Sequence, residues 1–313
     1  MTLPKAFEGL RLPAIAAPMF LTSGPDLVVE VCRSGVVGTF PALNQRSTDG
    51  FVAWLEEIAT RLEAFDSPAP YGVNLIVHRS NPRLRADLEE VVRHRVPLVI
   101  TSLGAVADVV DAVHSYGGLV FHDVISRRHA EKAAEAGVDG IIAVAAGAGG
   151  HAGQISPFAL VSEIRSVFGG AIALSGAMST GAHIAAARAM GADLAYLGTR
   201  FLATREAMVS RAQKEMTVAA RAADILYTPA ISGVGANFLA QSVVAAGMDP
   251  ANLQGHGELD MGNEAKVWRD VWSAGQGVGS LGDIPGAAEL CDRLAQEYKE
   301  AITKLAHDPF AGW

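Results

Sequence analysis

The chain is poor in cysteine. Cys32 and Cys291 are the only two in 313 residues. They stand far apart, outside any CxxC or Cys/His spacing, which excludes a disulfide framework and a cysteine-based metal site. Both read as small buried apolar residues, and the histidines show no metal-ligand spacing either. Long apolar runs are missing as well: nothing reaches the roughly 18 residues a membrane span needs. The first residues lack a charged region followed by an apolar core, so no signal peptide is expected and a reducing cytoplasm is the default compartment. Positive charge is in deficit, with 25 Lys and Arg against 33 Asp and Glu, a net charge of −8. The basic residues are scattered, which excludes a nucleic-acid footprint.

What is plentiful is glycine, at 33 residues, and apolar material, at half the chain. Eight short apolar runs recur: Ala14–Pro18, Val36–Phe40, Gly72–Val77, Leu98–Thr101, Leu119–Phe121, Gly140–Val144, Ala171–Ser175 and Leu194–Gly198. Most are apolar throughout rather than alternating, as in parallel strands covered on both faces. Between them lie helical patterns such as Leu84–Arg95, Ala105–Tyr116, Arg128–Ala136 and Gly181–Met190, the last preceded by Ser179 and Thr180 as candidate caps. A doubly wound open sheet shares this rhythm, but eight strand–helix units favour a closed (β/α)8 TIM barrel. After Gly198 the rhythm breaks. Helical stretches at Arg205–Ala223 and Ala236–Ala246, the glycine-rich Gly255–Gly262 and no convincing strand read as a mostly helical insertion after strand 8. Residues 1–200 and 276–313 would then form the barrel, with Ala287–Leu305 packing on its outside, and 201–275 a lid over its mouth.

Barrels of this kind place their chemistry at the C-terminal strand ends, and phosphates after strands seven and eight. Here those ends read Ser175-Gly176-Ala177-Met178-Ser179-Thr180-Gly181 and Gly198-Thr199-Arg200. Small residues let backbone N–H groups approach an anion, the following helix N-terminus adds partial positive charge, and the Ser175 and Thr199 hydroxyls add hydrogen bonds. Gly and Ser are common in ordinary turns; two such turns at the two expected strands point to phosphate. The sixth run leads into Ala145-Ala146-Gly147-Ala148-Gly149-Gly150-His151. That glycine ramp lets the chain pass a flat ligand and presents His151, which near pH 7 can take or share a proton or hydrogen-bond an anion. Asn74 in the third run is unfavourable for a strand, and its amide suits a phosphate or a polar ring edge. Trp268 and Trp272, four apart, read as core packing. His256 is a weaker candidate for a lid contact, and Tyr227 and Phe238 for cavity walls.

Taken in order, AAPM, GVNLIV, GAGGHAG, ALSGAMSTG, MGADLAYLGTRFLAT and VWSAGQ resemble the nitronate monooxygenase family, formerly called 2-nitropropane dioxygenases. The ending VWSAGQGVGSLGDIPGAAEL is most similar to a bacterial branch that includes NADH:quinone reductases. The resemblance implies an FMN-bound barrel. Ala17, Pro18 and Met19 would line the flavin and Asn74 would contact it. Gly149 and Gly150 would pass beside it, and Ser175, Gly176, Ala177, Gly198 and Thr199 would bind its phosphate. Gln276 would face the same pocket, and His151 would be the active-site histidine. The implied activity is oxidation of alkyl nitronates with O2, His151 acting as base or hydrogen-bond donor. Alternatives are an NAD(P)H-dependent reductase of quinones or enoyl thioesters, with NADH or NADPH as reductant, and a flavin-binding sensor without turnover. A small-molecule substrate is expected, with no nucleic acid, membrane or metal partner, and a homo-oligomer is possible on this reading. Three positions depart from the family pattern. Ala177 replaces a glycine, Asp123 stands where the quinone-reductase branch has a lysine, and Val144 stands where that branch has an acidic flavin contact.

Overall fold

A computed structural model describes residues 3–104, 107–253 and 268–310; the Gly255–Gly262 segment, with His256, lies outside the described residues. The eight apolar runs become eight parallel strands: β1 (Ala14–Ala16), β2 (Val37–Pro41), β3 (Tyr71–Ile76), β4 (Leu98–Ser102), β5 (Leu119–Val124), β6 (Gly140–Val144), β8 (Ala171–Ser175) and β9 (Leu194–Leu197). They close in the order β1-β2-β3-β4-β5-β6-β8-β9; β7, Gly150–His151, lies outside the barrel.

The closed sheet explains why the strands lack polar alternation. Ile15, Val37, Ile100, Phe121, Ile142 and Leu194 pack together inside the barrel, while their neighbours Ala14, Val99, Val120, Ile141 and Ala195 pack under the surrounding helices. Both faces are therefore buried and both need apolar residues. Phe7, on a short 3-10 turn ahead of β1, joins the inner cluster edge-to-face with Phe121 at 5.8 Å. This layer fills the N-terminal half of the barrel, and polar residues such as Asn74, Ser102 and Asp123 line its C-terminal mouth. Both cysteines are free and buried, and burial pushes each thiol up to about 12.

The helices start where their caps predict. Ser47, Ser126, Thr180 and Ser210 each accept a backbone N–H three residues on. Of the two candidates before Gly181, Thr180 is thus the cap. The last helix, Ala287–Ala306, packs against the helix Gly181–Ala189. They approach so closely that a Cβ on Gly181 would lie 2.2 Å from the Tyr298 nitrogen. Among the described residues, no helix is long and apolar enough to cross a membrane.

The insertion differs from expectation in one respect. It contains helices at Arg211–Ala219 and Ala240–Ala245, but also two strands, β10 (Ile225–Thr228) and β11 (Ala236–Leu239). They form an antiparallel sheet in the order β10-β11-β7. Ile225-Leu226-Tyr227-Thr228 is a run of strand-favouring residues, and Pro229 to Gly235 supplies the turn. The stretch Ala236–Ala246 reads as one helix only because alanine hides the change of period at Ala240.

Candidate functional site

A cavity of about 1050 Å3 opens at the C-terminal ends of the strands. Every barrel strand contributes through its last residues or the loop just beyond, β2 through Pro41 and Leu43. On one side lies a cradle of small residues, Ser175, Gly176 and Ala177 after β8 with Gly198 and Thr199 after β9. Gly176 has φ +136° and a Cβ there would lie 2.8 Å from the Ala146 carbonyl oxygen, so only glycine fits. A Cβ on Gly198 would stand 3.7 Å from the Ala17 side chain, in space the cavity now occupies. Thr199 Oγ1 accepts the Gly275 N–H at 2.8 Å, which leaves its own O–H to donate into the cavity.

The cradle ends at Met178. Ser179 N–H donates to His183 Nδ1 at 3.1 Å, and Gly181 N–H donates to the Glu297 carboxylate at 2.7 Å. A carboxylate thus already occupies the positive end of the helix Gly181–Ala189. The expectation that this helix end would face the phosphate is corrected: Ser179 and Thr180 line a separate pocket of about 270 Å3 with Arg200, Asp283 and Arg293.

His151 stands on β7, opposite Ala236 of β11. Its ring meets the Trp268 ring edge-to-face at 5.5 Å, and Trp268 rests in turn on Phe238 at 5.2 Å. Burial holds the imidazole down to about 4, neutral at pH 7. The approach to His151 is fixed from the insertion. Gly150 N–H donates to Ser273 Oγ at 2.6 Å, Ser273 Oγ donates to the Asn237 carbonyl at 2.8 Å, and Asn237 Nδ2 donates to the Ala148 carbonyl at 2.6 Å.

The far wall is polar. Asn74 Nδ2 donates to Ser102 Oγ at 2.9 Å, and Ser102 Oγ donates to Asp123 Oδ2 at 2.5 Å. Burial pushes the Asp123 carboxyl up to about 6, opposed by the Ser102 hydrogen bond. Beside it His122, bonded to Thr101 Oγ1 at 2.8 Å, is held down to about 4 by burial. Among the described residues, no group of three or more His, Cys, Asp or Glu is arranged to hold a metal ion.

The nitronate monooxygenase family model matches residues 2–297. The chain belongs to that family. It is 26% identical to a nitronate monooxygenase of Paraburkholderia phytofirmans across 95% of both chains. It is 25% identical to a Rhodococcus jostii protein named (3aS,4S,5R,7aS)-5-hydroxy-7a-methyl-1-oxo-octahydro-1H-indene-4-carboxyl-CoA dehydrogenase, over 79% of this chain and 68% of that one. In fold it is similar to FabK from Thermotoga maritima, with TM-score 0.80, 23% identity and 96% of each chain covered. It is equally similar to nitroalkane oxidase from Streptomyces ansochromogenes, with TM-score 0.80, 24% identity and coverage of 95% of this chain and 99% of that one.

This nitronate monooxygenase family member is accordingly an oxidoreductase of a flavin-using family. The non-catalytic alternative has no support here. The cavity itself fits a flavin: a cradle that side chains would fill, a hydroxyl donor in Thr199, and a buried carboxylate oxygen of Asp123 that receives no hydrogen bond. It gathers His151, Ala17, Pro18, Met19, Asn74, Gly149, Gly150, Ser175, Gly176, Ala177, Gly198 and Thr199. Gln276 is the exception. Gly275 and Gly277 line the cavity, but Gln276 is exposed and its N–H is spent on the Gly147 carbonyl at 2.9 Å. Ala177 has φ +53°, so the glycine of the family pattern is replaced by a residue held in the left-handed region. Of the aromatic candidates, Tyr227 lines the cavity, Phe238 is buried beneath Trp268, and Trp268 is both core and wall. Sequence reasoning passed over Ser102, Tyr196 and Ser273. Ser102 was within reach, because it follows Thr101 at a strand end, whereas Ser273 depends on a register within the insertion that no local pattern specifies.

Proposed function

We propose that the protein oxidises alkyl nitronates with O2, using FMN held across the barrel mouth. The observation that carries this reading is a neutral imidazole, His151, presented at the same mouth as the small-residue cradle. When bound, FMN supplies the acceptor for the substrate's electrons and the route by which they reach O2. The protein's own residues do the rest. Ser175, Gly176, Gly198 and Thr199 would hold the phosphate through backbone N–H groups and hydroxyls, Ala177 would border it with its own N–H kept by the Gly147 carbonyl at 3.3 Å, and Ala17, Pro18 and Met19 with Asn74, Gly149 and Gly150 would flank the ring. His151 donates its one N–H to a nitro oxygen, and Trp268 fixes the ring plane and excludes water.

The depressed proton affinity favours the hydrogen-bond donor among the two roles open to His151. An imidazole held down to about 4 is a poor base for a carbon-bound proton. The preferred substrate is therefore the nitronate anion, already deprotonated, rather than the neutral nitroalkane. The test is His151→Asn loaded with FMN. Nitronate turnover is expected to fall by about 10² or more, as for loss of a preorganised donor; unchanged turnover would show the role to be wrong.

The cavity volume favours a second reading. At about 1050 Å3 it slightly exceeds the roughly 300–1,000 Å3 common for one ligand, leaving room for a nicotinamide or an acyl thioester beside the flavin. One relative is named a carboxyl-CoA dehydrogenase. Anaerobic mixing discriminates: rapid bleaching of bound flavin by NADH or NADPH supports a reductase of quinones or enoyl thioesters, and indifference to both supports the oxygenase.

A further inference from the structure

The closed strand order fixes what faces the cradle. In a ring of eight, β3 stands opposite β8 and β4 opposite β9. Asn74 and Ser102, on β3 and β4, therefore lie across the mouth from Ser175–Ala177 and Gly198–Thr199, and Asp123, on the neighbouring β5, joins them through Ser102. All three line the cavity. Their hydrogen bonds run one way, from the Asn74 amide to the Ser102 hydroxyl and from that hydroxyl to Asp123 Oδ2. Asp123 is the terminal acceptor. Its second oxygen, Oδ1, is sealed from solvent and receives no hydrogen bond. A buried polar atom left unsatisfied is costly unless a ligand completes it.

A flavin anchored by its phosphate on one side of the mouth carries its ring toward the other. That ring has an apolar dimethylbenzene end and a polar pyrimidine end. On the oxidised ring the imide N–H, between two carbonyls, is the sole ring donor along the polar end. An acceptor that lacks a donor matches that group and no other part of the edge.

We propose that Asp123 Oδ1 accepts the imide N–H of the flavin ring, which sets the polar end of the ring toward β5. Ser102 and Asn74 act as positioning residues that hold the carboxyl in place. This rests on the flavin reading above. It also gives the Asp123 departure from the family pattern a use: the residue binds a different atom of the ring rather than failing to supply a charge.

The test is ligand discrimination. Apoprotein is titrated with FMN and with FMN methylated at the imide nitrogen, following flavin fluorescence and absorbance. Wild type is expected to prefer FMN by about tenfold or more, the worth of one charge-assisted hydrogen bond. In Asp123→Ala the preference should shrink to within about threefold, and in Asp123→Asn, whose amide oxygen still accepts, it should stay intermediate. Ser102→Ala should weaken it without abolishing it. Equal preferences in wild type and Asp123→Ala would overturn the proposal while leaving the flavin reading intact. Failure of wild type to bind FMN at all would overturn both. Should Asp123→Ala not fold, the Asp123→Asn and Ser102→Ala ratios decide, since the first is isosteric and the second is one residue removed from the imide, so neither opens space for the methyl.

Discussion

The two sides of the barrel mouth are built by opposite means. The β8/β9 side is made of small residues: Gly176 lets its turn pass tightly against the Ala146 carbonyl, no side chain stands at Gly198, and the Thr199 hydroxyl borders the cavity. The β3–β5 side is made from side chains in series, Asn74 to Ser102 to Asp123, each satisfied by the next until the last. A surface of backbone accepts any anion of the right size. A chain of buried side chains with one open end accepts only a partner of the right polarity. On the flavin reading proposed above, the first side would anchor and the second would select.

The sharpest way to break the comparison is Gly176→Val. With φ +136° and a carbonyl 2.8 Å from any Cβ, the cradle backbone must move. We expect FMN affinity to fall by about 10² or more and stability by about 1–3 kcal/mol, read by fluorescence titration and thermal unfolding. Retained affinity would mean that the cradle is not the anchor. Next is Asn237→Ala, in the insertion. It strands the Ala148 carbonyl beside the ramp, which should cost about 1–3 kcal/mol. The same variant should lower turnover more than FMN affinity, because the strand that holds His151 loosens while the cradle does not. Equal losses in both would place Asn237 with the anchor instead.

A subtler effect concerns pH. His122 and His151 are held down to about 4 by burial, so the unfolded chain, with histidine near 6.5, binds their protons first as pH falls. Their contribution to stability is present above 6.5 and is lost as pH falls toward 4. Asp123, pushed up to about 6 from 3.8, works the other way. The folded chain binds its proton first, so its contribution is present below 3.8 and is lost as pH rises through 6. From these three groups, stability between about pH 4 and 6 should fall on acidification with a slope of about two protons minus one. Asp123→Asn removes the opposing proton, and the pH dependence of unfolding measured across that range should steepen by about one proton. The smallest effect is expected from Ala177→Gly. Relief of the left-handed backbone at φ +53° is offset by the greater freedom of glycine when unfolded. A gain of at most about 0.5–1 kcal/mol in thermal unfolding is expected, with FMN affinity unchanged.

The same contrast explains what was legible in the sequence. A wall made of missing side chains leaves its mark directly in the chain, as SGA and GT at the ends of two apolar runs, and both turns line the cavity. The eight strands were legible because burial on both faces makes each an unbroken apolar run. The far wall was only half legible. Asn74 stood out as a polar residue in a strand, but the function of Asp123 depends on Ser102 from a neighbouring strand, a contact set by barrel register. The sheet β10-β11-β7 was missed because alanine at the start of β11 is as common in helices as the stretch that follows. Gln276 lies between the cavity-lining Gly275 and Gly277 but is itself exposed, because a motif specifies which residues are near the pocket, not which of them lines it.

His151 follows the barrel's sixth strand in sequence, yet its backbone is one edge of a sheet whose other strands come from the insertion. The aim of the imidazole is thus shared between two parts of the chain that can vary separately. A longer or more twisted hairpin at β10–β11 would swing the same histidine over a different part of the cavity with no substitution in the barrel. Relatives with identical cradles and the same histidine could then differ in what they oxidise or reduce, and exchange of the 225–239 hairpin alone becomes the natural unit for transferring substrate preference between them.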